Sequence, residues 1–194
     1  MPEALMVFLA TLGYGALHSL LAGRRVKDAV RQKVGPAADR FYRLGYNAVA
    51  LLTLIPWLAV LIMNIGPVLV RVPGPGWIVM AVGQGVFLLL LAVSFLQSDP
   101  SGLLGLRQLG NTKGDAKLVI TGAYSIVRHP MYTTGLLILW LFPILTTGTL
   151  AFDLGITLYI LAGSELEERK LVVEYGEEYK KYKTKVARLI PFIY

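Results

Sequence analysis

The sequence predicts an all-α membrane protein, a bundle of about five transmembrane helices with a cytoplasmic C-terminal helix. Of its 194 residues, 55% are hydrophobic and only 16% are charged, which is more apolar than a soluble domain of this length usually is. Nearly uncharged windows of about 20 residues also recur, and a helix of that length crosses a hydrocarbon core roughly 30 Å thick. We expect residues 1–194 to form a single domain.

The apolar runs and the turn signals between them predict where the spans lie. Proline and glycine separate the runs, as in VPGPG at 72–76 and TTG at 146–148. The first run lacks a basic leader, so we expect a retained span and not a signal peptide. The very short last connection predicts a tight helical hairpin, which would bring 128–135 close to 163–171. The predicted spans are about 4–22, 44–64, 77–97, 130–147 and 149–167.

The positive residues predict the orientation of the bundle. Seven Lys and Arg residues lie at 24–43, four at 107–128 and seven at 169–188, so five spans would place 18 of the 19 on one face. The positive-inside rule makes that face cytoplasmic. We expect an integral protein of the cell inner membrane, with its N-terminus outside and its C-terminus cytoplasmic. The net charge of +7 then reflects topology and attraction to anionic lipids, and no nucleic-acid partner is predicted.

Cysteine is absent from the chain, which excludes disulfides, thiolate metal sites and a cysteine nucleophile. We predict no metal site.

Charged residues cluster where the last two predicted spans meet the cytoplasmic face. Glutamates at 165, 167 and 168 lie where the fifth span should leave the bilayer, and carboxylates at that depth need partners. Because the hairpin helices run antiparallel, Arg128 and His129 should face Glu167 or Glu168. One interpretation is an ion-pair network that closes the helix ends.

The same residues suit a cationic ligand with an amino-acid tail. An arginine can bind its carboxylate, a glutamate its ammonium or ribose hydroxyls, and tyrosine rings can lie near a sulfonium. S-adenosylmethionine is such a ligand, and without a glycine-rich Rossmann turn its site would be built from helix ends. A continuing helix places an acid and several rings on one stripe, formed by Glu168, Leu171, Tyr175, Tyr179 and Tyr182.

Two motifs resemble those of a known superfamily. LVITGAYSIVRHPMY at 118–132 and EERKLVVEYGEEYKKYKTKVARLIP at 167–191 are similar to the signature of integral-membrane isoprenylcysteine carboxyl methyltransferases and phospholipid N-methyltransferases. The resemblance implies that S-adenosylmethionine is enclosed by the last helices and the following tail, with Arg128, His129 and Glu168 as catalytic residues. Thr134 departs from the small residue usual at its position. The implied cofactor contacts are Tyr124, Arg128, His129, Pro130, Tyr132, Glu167, Glu168, Leu171, Tyr179 and Tyr182.

A second likeness bears on the substrate. ALHSLLAGRRVKDAVRQ at 16–32 and FYRLGYN at 41–47 resemble membrane methanethiol S-methyltransferases and related proteins linked to nitrogen-oxide metabolism and carotene isomerisation. The implied acceptor is small or lipophilic, a thiol or a prenylcysteine carboxylate, and enters from the bilayer. Methyl transfer needs mainly alignment and water exclusion. A thiol must also lose a proton, for which His129 or a tyrosine is a candidate.

Two other functions stay open. His18 is either a packing residue or, as the carotene-isomerase likeness implies, a haem ligand, and the protein would then be a haem-binding membrane protein or isomerase. A scaffold in which the motifs only close helix ends is the third possibility. The GQG segment at 83–85 indicates close helix packing. The pattern of residues 24–34 predicts a basic surface helix with its valines toward the lipid.

Overall fold

The computed structural model of this protein describes residues 2–109 and 117–193 and is mostly helical. Within these residues, four helices are long and apolar enough to cross a membrane. They are α1 (Pro2–Leu21), α3 (Ala37–Met63), α4 (Pro75–Gln97) and α8 (Thr147–Tyr175). These helices match four of the predicted spans. In lipid, a long apolar segment can satisfy its backbone hydrogen bonds within itself only as a helix.

Helix α1 packs closely against α8 because each helix presents a glycine to a side chain of the other. A Cβ atom on Gly15 would lie 2.5 Å from the ring of Tyr159, and one on Gly155 would lie 2.9 Å from Thr11. Trp57 of α3 joins this contact, since its indole Nε1 donates to Thr11 Oγ1 at 3.1 Å. Small residues at such positions let membrane helices approach to van der Waals distance.

The predicted span 130–147 is not a continuous transmembrane helix. Helix α7 (Pro130–Trp140) has 11 residues, about 16 Å of helix, and Pro143 lies just beyond it. The chain continues as strand β2 (Ile144–Thr146), which pairs antiparallel with β1 (Val68–Arg71) between α3 and α4. Proline lacks the N–H that a helix needs, and the extended residues instead bond to β1. Four of the five predicted spans are therefore matched by long apolar helices within the described residues, and the fifth is not confirmed, because α7 is short and ends before Pro143.

Chain segment 130–146 still reaches the opposite end of the bundle, because β2 lies beside β1. The carboxyl end of α4 and the start of α7 consequently share one end with the residues after α1 and the C-terminal part of α8. This common end is called the site end below. Arg71 lies at the other end, and Lys113 lies outside the described residues.

Short elements complete the site end. They are α2 (Arg24–Val34), α5 (Pro100–Leu104), α6 (Leu106–Leu109), a 3₁₀ turn at Gly122–Ser125 and α9 (Glu177–Lys183). The predicted basic surface helix is α2, which has no buried residue and contacts Asp39 through Lys27 and Arg31. The helix predicted to continue through Tyr182 is interrupted, because α8 ends at Tyr175 and Gly176, with a φ of 57°, separates it from α9, which is seven residues long.

The chain after α9 closes over the start of α7. Residues Val127 and Ala187 form a parallel bridge, and the backbone N–H groups of Arg128 and His129 donate to the carbonyls of Ala187 and Arg188 at 2.8 and 3.2 Å. Thr133 Oγ1 donates to the Leu189 carbonyl at 2.7 Å. The C-terminal tail is thereby fixed against the RHP motif at 128–130.

Candidate functional site

A buried ion pair lies at the centre of the site end. Arg128, just before α7, places its Nε 2.5 Å from Oε1 of Glu168 on α8, and the two side chains are 7% and 1% exposed. Arg128 Nη1 also donates to the carbonyls of Lys183 and Val186. Lys183 Nζ lies 2.8 Å from the other Glu168 oxygen. The buried carboxylate therefore has cationic partners on both oxygens, which offsets its loss of water.

His129, Tyr132 and Glu167 form a second layer of the site. The rings of His129 and Tyr132 stack with centroids 5.4 Å apart, and the Tyr132 hydroxyl donates to Glu167 Oε2 at 2.9 Å. His129 Nδ1 lies 3.7 Å from Glu167, and Nε2 lies 3.4 Å from Glu168. The predicted juxtaposition of Arg128 and His129 with the two glutamates is confirmed by these contacts. Pro130 occupies the first turn of α7, where its missing N–H costs nothing.

A cavity of about 420 Å³ opens beside these residues. Its wall mixes carboxylates, cations, aromatic rings and aliphatic side chains. Glu168 lies outside that wall and behind Arg128 and His129, whereas Glu167 lines it. The other residues implied by the resemblance that line the cavity are Tyr124, Arg128, His129, Pro130, Tyr132, Leu171, Tyr179 and Tyr182.

Two tyrosines from α9 form the side of the cavity toward the tail. Tyr179 is 1% exposed, and its hydroxyl is buried with no hydrogen-bond partner in the described part of the chain. Burial raises the pKa of Tyr179 above its ordinary value, so the hydroxyl is a neutral donor at physiological pH. Tyr182 donates to the Tyr124 carbonyl, and burial also raises its pKa.

Sequence reasoning missed the wall contributed by α3, α5 and α6. Arg43, Asp99 and Arg107 line the cavity, and Arg107 Nη1 lies 2.5 Å from Asp99 Oδ2. The Gly102 N–H donates to the Asp99 carboxylate, and this bond is the main cause that lowers the pKa of Asp99. The Asp-Pro pair at 99–100 is a recognisable helix start, but nothing local indicates which cavity it faces.

His18 is engaged with Tyr46. The Tyr46 hydroxyl and His18 Nε2 share a short hydrogen bond, with ring centroids 4.8 Å apart. His18 Nδ1 is buried and has no hydrogen-bond partner among residues 2–109 and 117–193. The haem hypothesis needs a ring nitrogen free to bind iron and stays a prediction. Over the same residues no cluster of three or more His, Asp or Glu side chains could hold a metal ion.

The chain is similar over nearly its whole length to bacterial proteins named methanethiol S-methyltransferase. The relative from Crocosphaera subtropica is 30% identical over 207 residues, covering 98% of this chain and 76% of that protein. Relatives from Bradyrhizobium diazoefficiens and Mycobacterium tuberculosis are each 29% identical over 98% of this chain. The matched regions cover 68% and 79% of those two proteins, respectively. No protein-family model matches the chain, and no solved structure matches it.

Proposed function

The chain belongs to the methanethiol S-methyltransferase family of membrane proteins, and from this membership we propose that it transfers a methyl group from S-adenosylmethionine to a small thiol. The observation that carries the proposal is the polar cavity at the site end, built from the two motifs that resemble the superfamily signature. The names of the relatives favour a thiol acceptor over a prenylcysteine carboxylate. Four apolar helices and this relationship make it an integral membrane protein.

The donor set of the cavity suits S-adenosylmethionine. Glu167 is 45% exposed on its side chain and can accept from an ammonium group, while Tyr132, Tyr179 and Tyr182 present rings for a sulfonium. The buried hydroxyl of Tyr179 has no partner within the described residues. Buried polar atoms are normally satisfied, so this hydroxyl supports a polar ligand. Bound there, the cofactor supplies an electrophilic methyl group on a sulfonium.

We propose different roles for the two glutamates. Glu167 lines the cavity and contacts the cofactor, whereas Glu168 holds Arg128 and Lys183 beneath it. The guanidinium of Arg128 is committed to Glu168 and two carbonyls, which supports a positioning role more than direct binding of the cofactor carboxylate. Arg128 thereby fixes His129 and the tail that caps the site.

The remaining wall residues exclude water and align the reactants. Methyl transfer to sulfur is an in-line displacement on an already activated carbon, so the protein contributes mainly orientation of the nucleophile and a dry pocket. Tyr124, Leu171 and Pro130 line the cavity without a titratable group that the displacement needs at neutral pH. We propose that the protein lies in the cell inner membrane, with its site end facing the cytoplasm and its N-terminus outside.

The function is tested with purified protein, S-adenosylmethionine and a panel of methanethiol, prenylcysteine and phospholipid acceptors. We expect dimethyl sulfide from methanethiol, detected by gas chromatography, and no product from the other two classes. Glu167→Gln should weaken cofactor binding about tenfold in calorimetry, because a charged hydrogen bond to an ammonium contributes about 1.5 kcal/mol or more. Glu178→Gln is the matched control, since Glu178 is exposed on α9 and outside the cavity wall. Cofactor binding without any methylated thiol would contradict the proposed acceptor, and no cofactor binding would contradict the proposed reaction.

A further inference from the structure

A second cavity adjoins the first at the site end. It has a volume of about 220 Å³ and lies between the end of α1, the start of α2 and α3. Arg43 and Gln108 line both cavities, so the two share part of their wall. The side-chain oxygen of Gln108 is buried and has no hydrogen-bond partner in the part of the chain described. A ligand in the second cavity would therefore lie next to one in the first.

Tyr46 lines this second cavity, and its hydroxyl shares a hydrogen bond with Nε2 of His18 behind it. With Tyr46 as the donor to Nε2 of His18, the ring hydrogen of a neutral imidazole resides on Nδ1. Nε2 can then take up a proton whenever the tyrosine oxygen receives one from another group. The pair has the composition of a proton relay, and the methyl-transfer site described above does not use it.

The groups around Tyr46 favour a negative charge in the second cavity. Arg24 and Lys27 of α2 and Arg43 of α3 line it, and its single acid within the described residues, Asp39, is paired with Lys27 and Arg31. Nearby cations stabilise an anion. The other titratable groups that face Tyr46 within the described residues include Tyr14 of α1, Tyr42 of α3, Tyr132 of α7 and Tyr159 of α8.

We propose that the second cavity admits the acceptor thiol and that Tyr46, backed by His18, takes up its proton. This inference rests on the proposed function, because only a thiol acceptor has to be ionised before it attacks. His129 is the other histidine of the chain, but it lies against Glu167 and Glu168 in the wall of the first cavity. We therefore assign His129 to the cofactor side of the site and not to the acceptor.

The proton and electron transfers balance without a further reactant. The thiol proton passes to the Tyr46 oxygen while the Tyr46 proton passes to His18 Nε2, leaving an imidazolium. The electron pair on the thiolate sulfur forms the new S–C bond, and the electrons of the sulfonium C–S bond stay on the sulfur of the departing S-adenosylhomocysteine. The imidazolium then releases its proton to water. Tyr46 is thus a catalytic residue that touches the acceptor, and His18 is a positioning residue that acts through it.

Two variants and one control test this relay in the full chain. Tyr46→Phe removes the hydroxyl and His18→Asn removes the proton acceptor, so the test does not depend on the folding of one variant. Tyr14→Phe is the control, because Tyr14 lies in the same ring cluster, 6.1 Å from His18, but its hydroxyl donates to the Ala50 carbonyl. Calorimetry with S-adenosylmethionine checks that the variants still bind the cofactor.

We expect both variants to lower kcat/KM for methanethiol about 100-fold at neutral pH, the usual contribution of a general base. At a pH where methanethiol ionises by itself, kcat/KM of the variants should approach that of the wild-type protein. The loss should also be absent at neutral pH for methaneselenol, generated in situ from dimethyl diselenide, because this acceptor has nearly the same shape and is already ionised. Tyr14→Phe should leave the ratio of the two acceptors unchanged.

An equal loss at neutral and alkaline pH, or with both acceptors, would mean that Tyr46 and His18 are only structural and would overturn the inference. No loss in either variant would overturn it as well. The proposed function fails separately, when the wild-type protein itself methylates no thiol.

Discussion

The buried carboxylate of Glu168 should be the side chain on which the stability of the site end depends most. Glu168 is 1% exposed and bonds to Arg128 and Lys183 through different oxygens. Glu168→Gln keeps the shape but leaves two cations without their counterion, one of them 7% exposed. Removing one partner of a buried ion pair costs about 3–5 kcal/mol. We therefore expect a loss of about 4 kcal/mol in the free energy of unfolding.

Substitutions of the two partners of Glu168 should lower the free energy of unfolding by smaller amounts, in a defined order. Arg128→Gln leaves Glu168 with Lys183, so its cost should lie near the lower limit, about 3 kcal/mol. Lys183 is 35% exposed and water screens its charge, so Lys183→Gln should cost about 1 kcal/mol or less. Arg128→Lys keeps the charge but loses the fork that reaches the carboxylate and two carbonyls together, and it should be intermediate.

The assay is reversible unfolding in mixed detergent micelles, followed by tryptophan fluorescence. Lys180→Gln is the control, because its pair with Glu177 at 2.7 Å is exposed on both sides and should contribute about 0.5 kcal/mol or less. A Glu168→Gln loss no larger than that of the control would refute the claim that this carboxylate is buried and held by charge.

Three further predictions concern orientation, cofactor binding and haem. In the cysteine-free chain, Val70→Cys at the β1 end should react with an impermeant maleimide on intact cells and Lys181→Cys should not; the reverse pattern would invert the topology. Tyr179→Phe should weaken S-adenosylmethionine binding about fivefold in calorimetry, because a neutral hydrogen bond contributes about 1 kcal/mol, and equal affinity would remove Tyr179 from the cofactor site. The purified protein should show no Soret band, since Tyr46 engages His18 Nε2; an intense band would favour the haem hypothesis.

The amino-acid sequence was sufficient for the spans whose structure is decided locally. Helices α1, α3, α4 and α8 are long apolar runs, and in such runs hydropathy and length determine the outcome. The segment 130–147 is equally apolar but contains Pro143, and its extended part bonds to β1, about 75 residues earlier in the chain. An average of hydropathy records neither the missing proline N–H nor a strand partner so far away in the sequence, and for this reason the helix predicted over this segment is longer than α7.

The candidate site likewise has a part that could be predicted from the sequence and a part that could not. Arg128, His129, Glu167 and Glu168 could be brought together from topology alone, because antiparallel helices place their site ends side by side. Which glutamate lines the cavity could not be predicted, because that depends on the rotation of α8. The walls from Arg43 and Asp99 were missed because one lies on α3 and the other caps α5, and no local pattern in the sequence relates these two elements to the cavity.

The geometry also gives a reason for the charge buried beneath the first cavity, although the proposed displacement does not use that charge for acid–base chemistry. A displacement on an activated methyl group depends on the alignment of three atoms, and a loop that merely follows α4 would not hold that alignment. Here Arg128 ties three separate parts of the chain to one point, since it bonds to Glu168 on α8, to Lys183 at the end of α9 and, through its backbone N–H, to Ala187 of the tail. We therefore propose that the ion pair supports methyl transfer by fixing the position of His129 and the wall next to it, and a substitution there should change stability and cofactor affinity together.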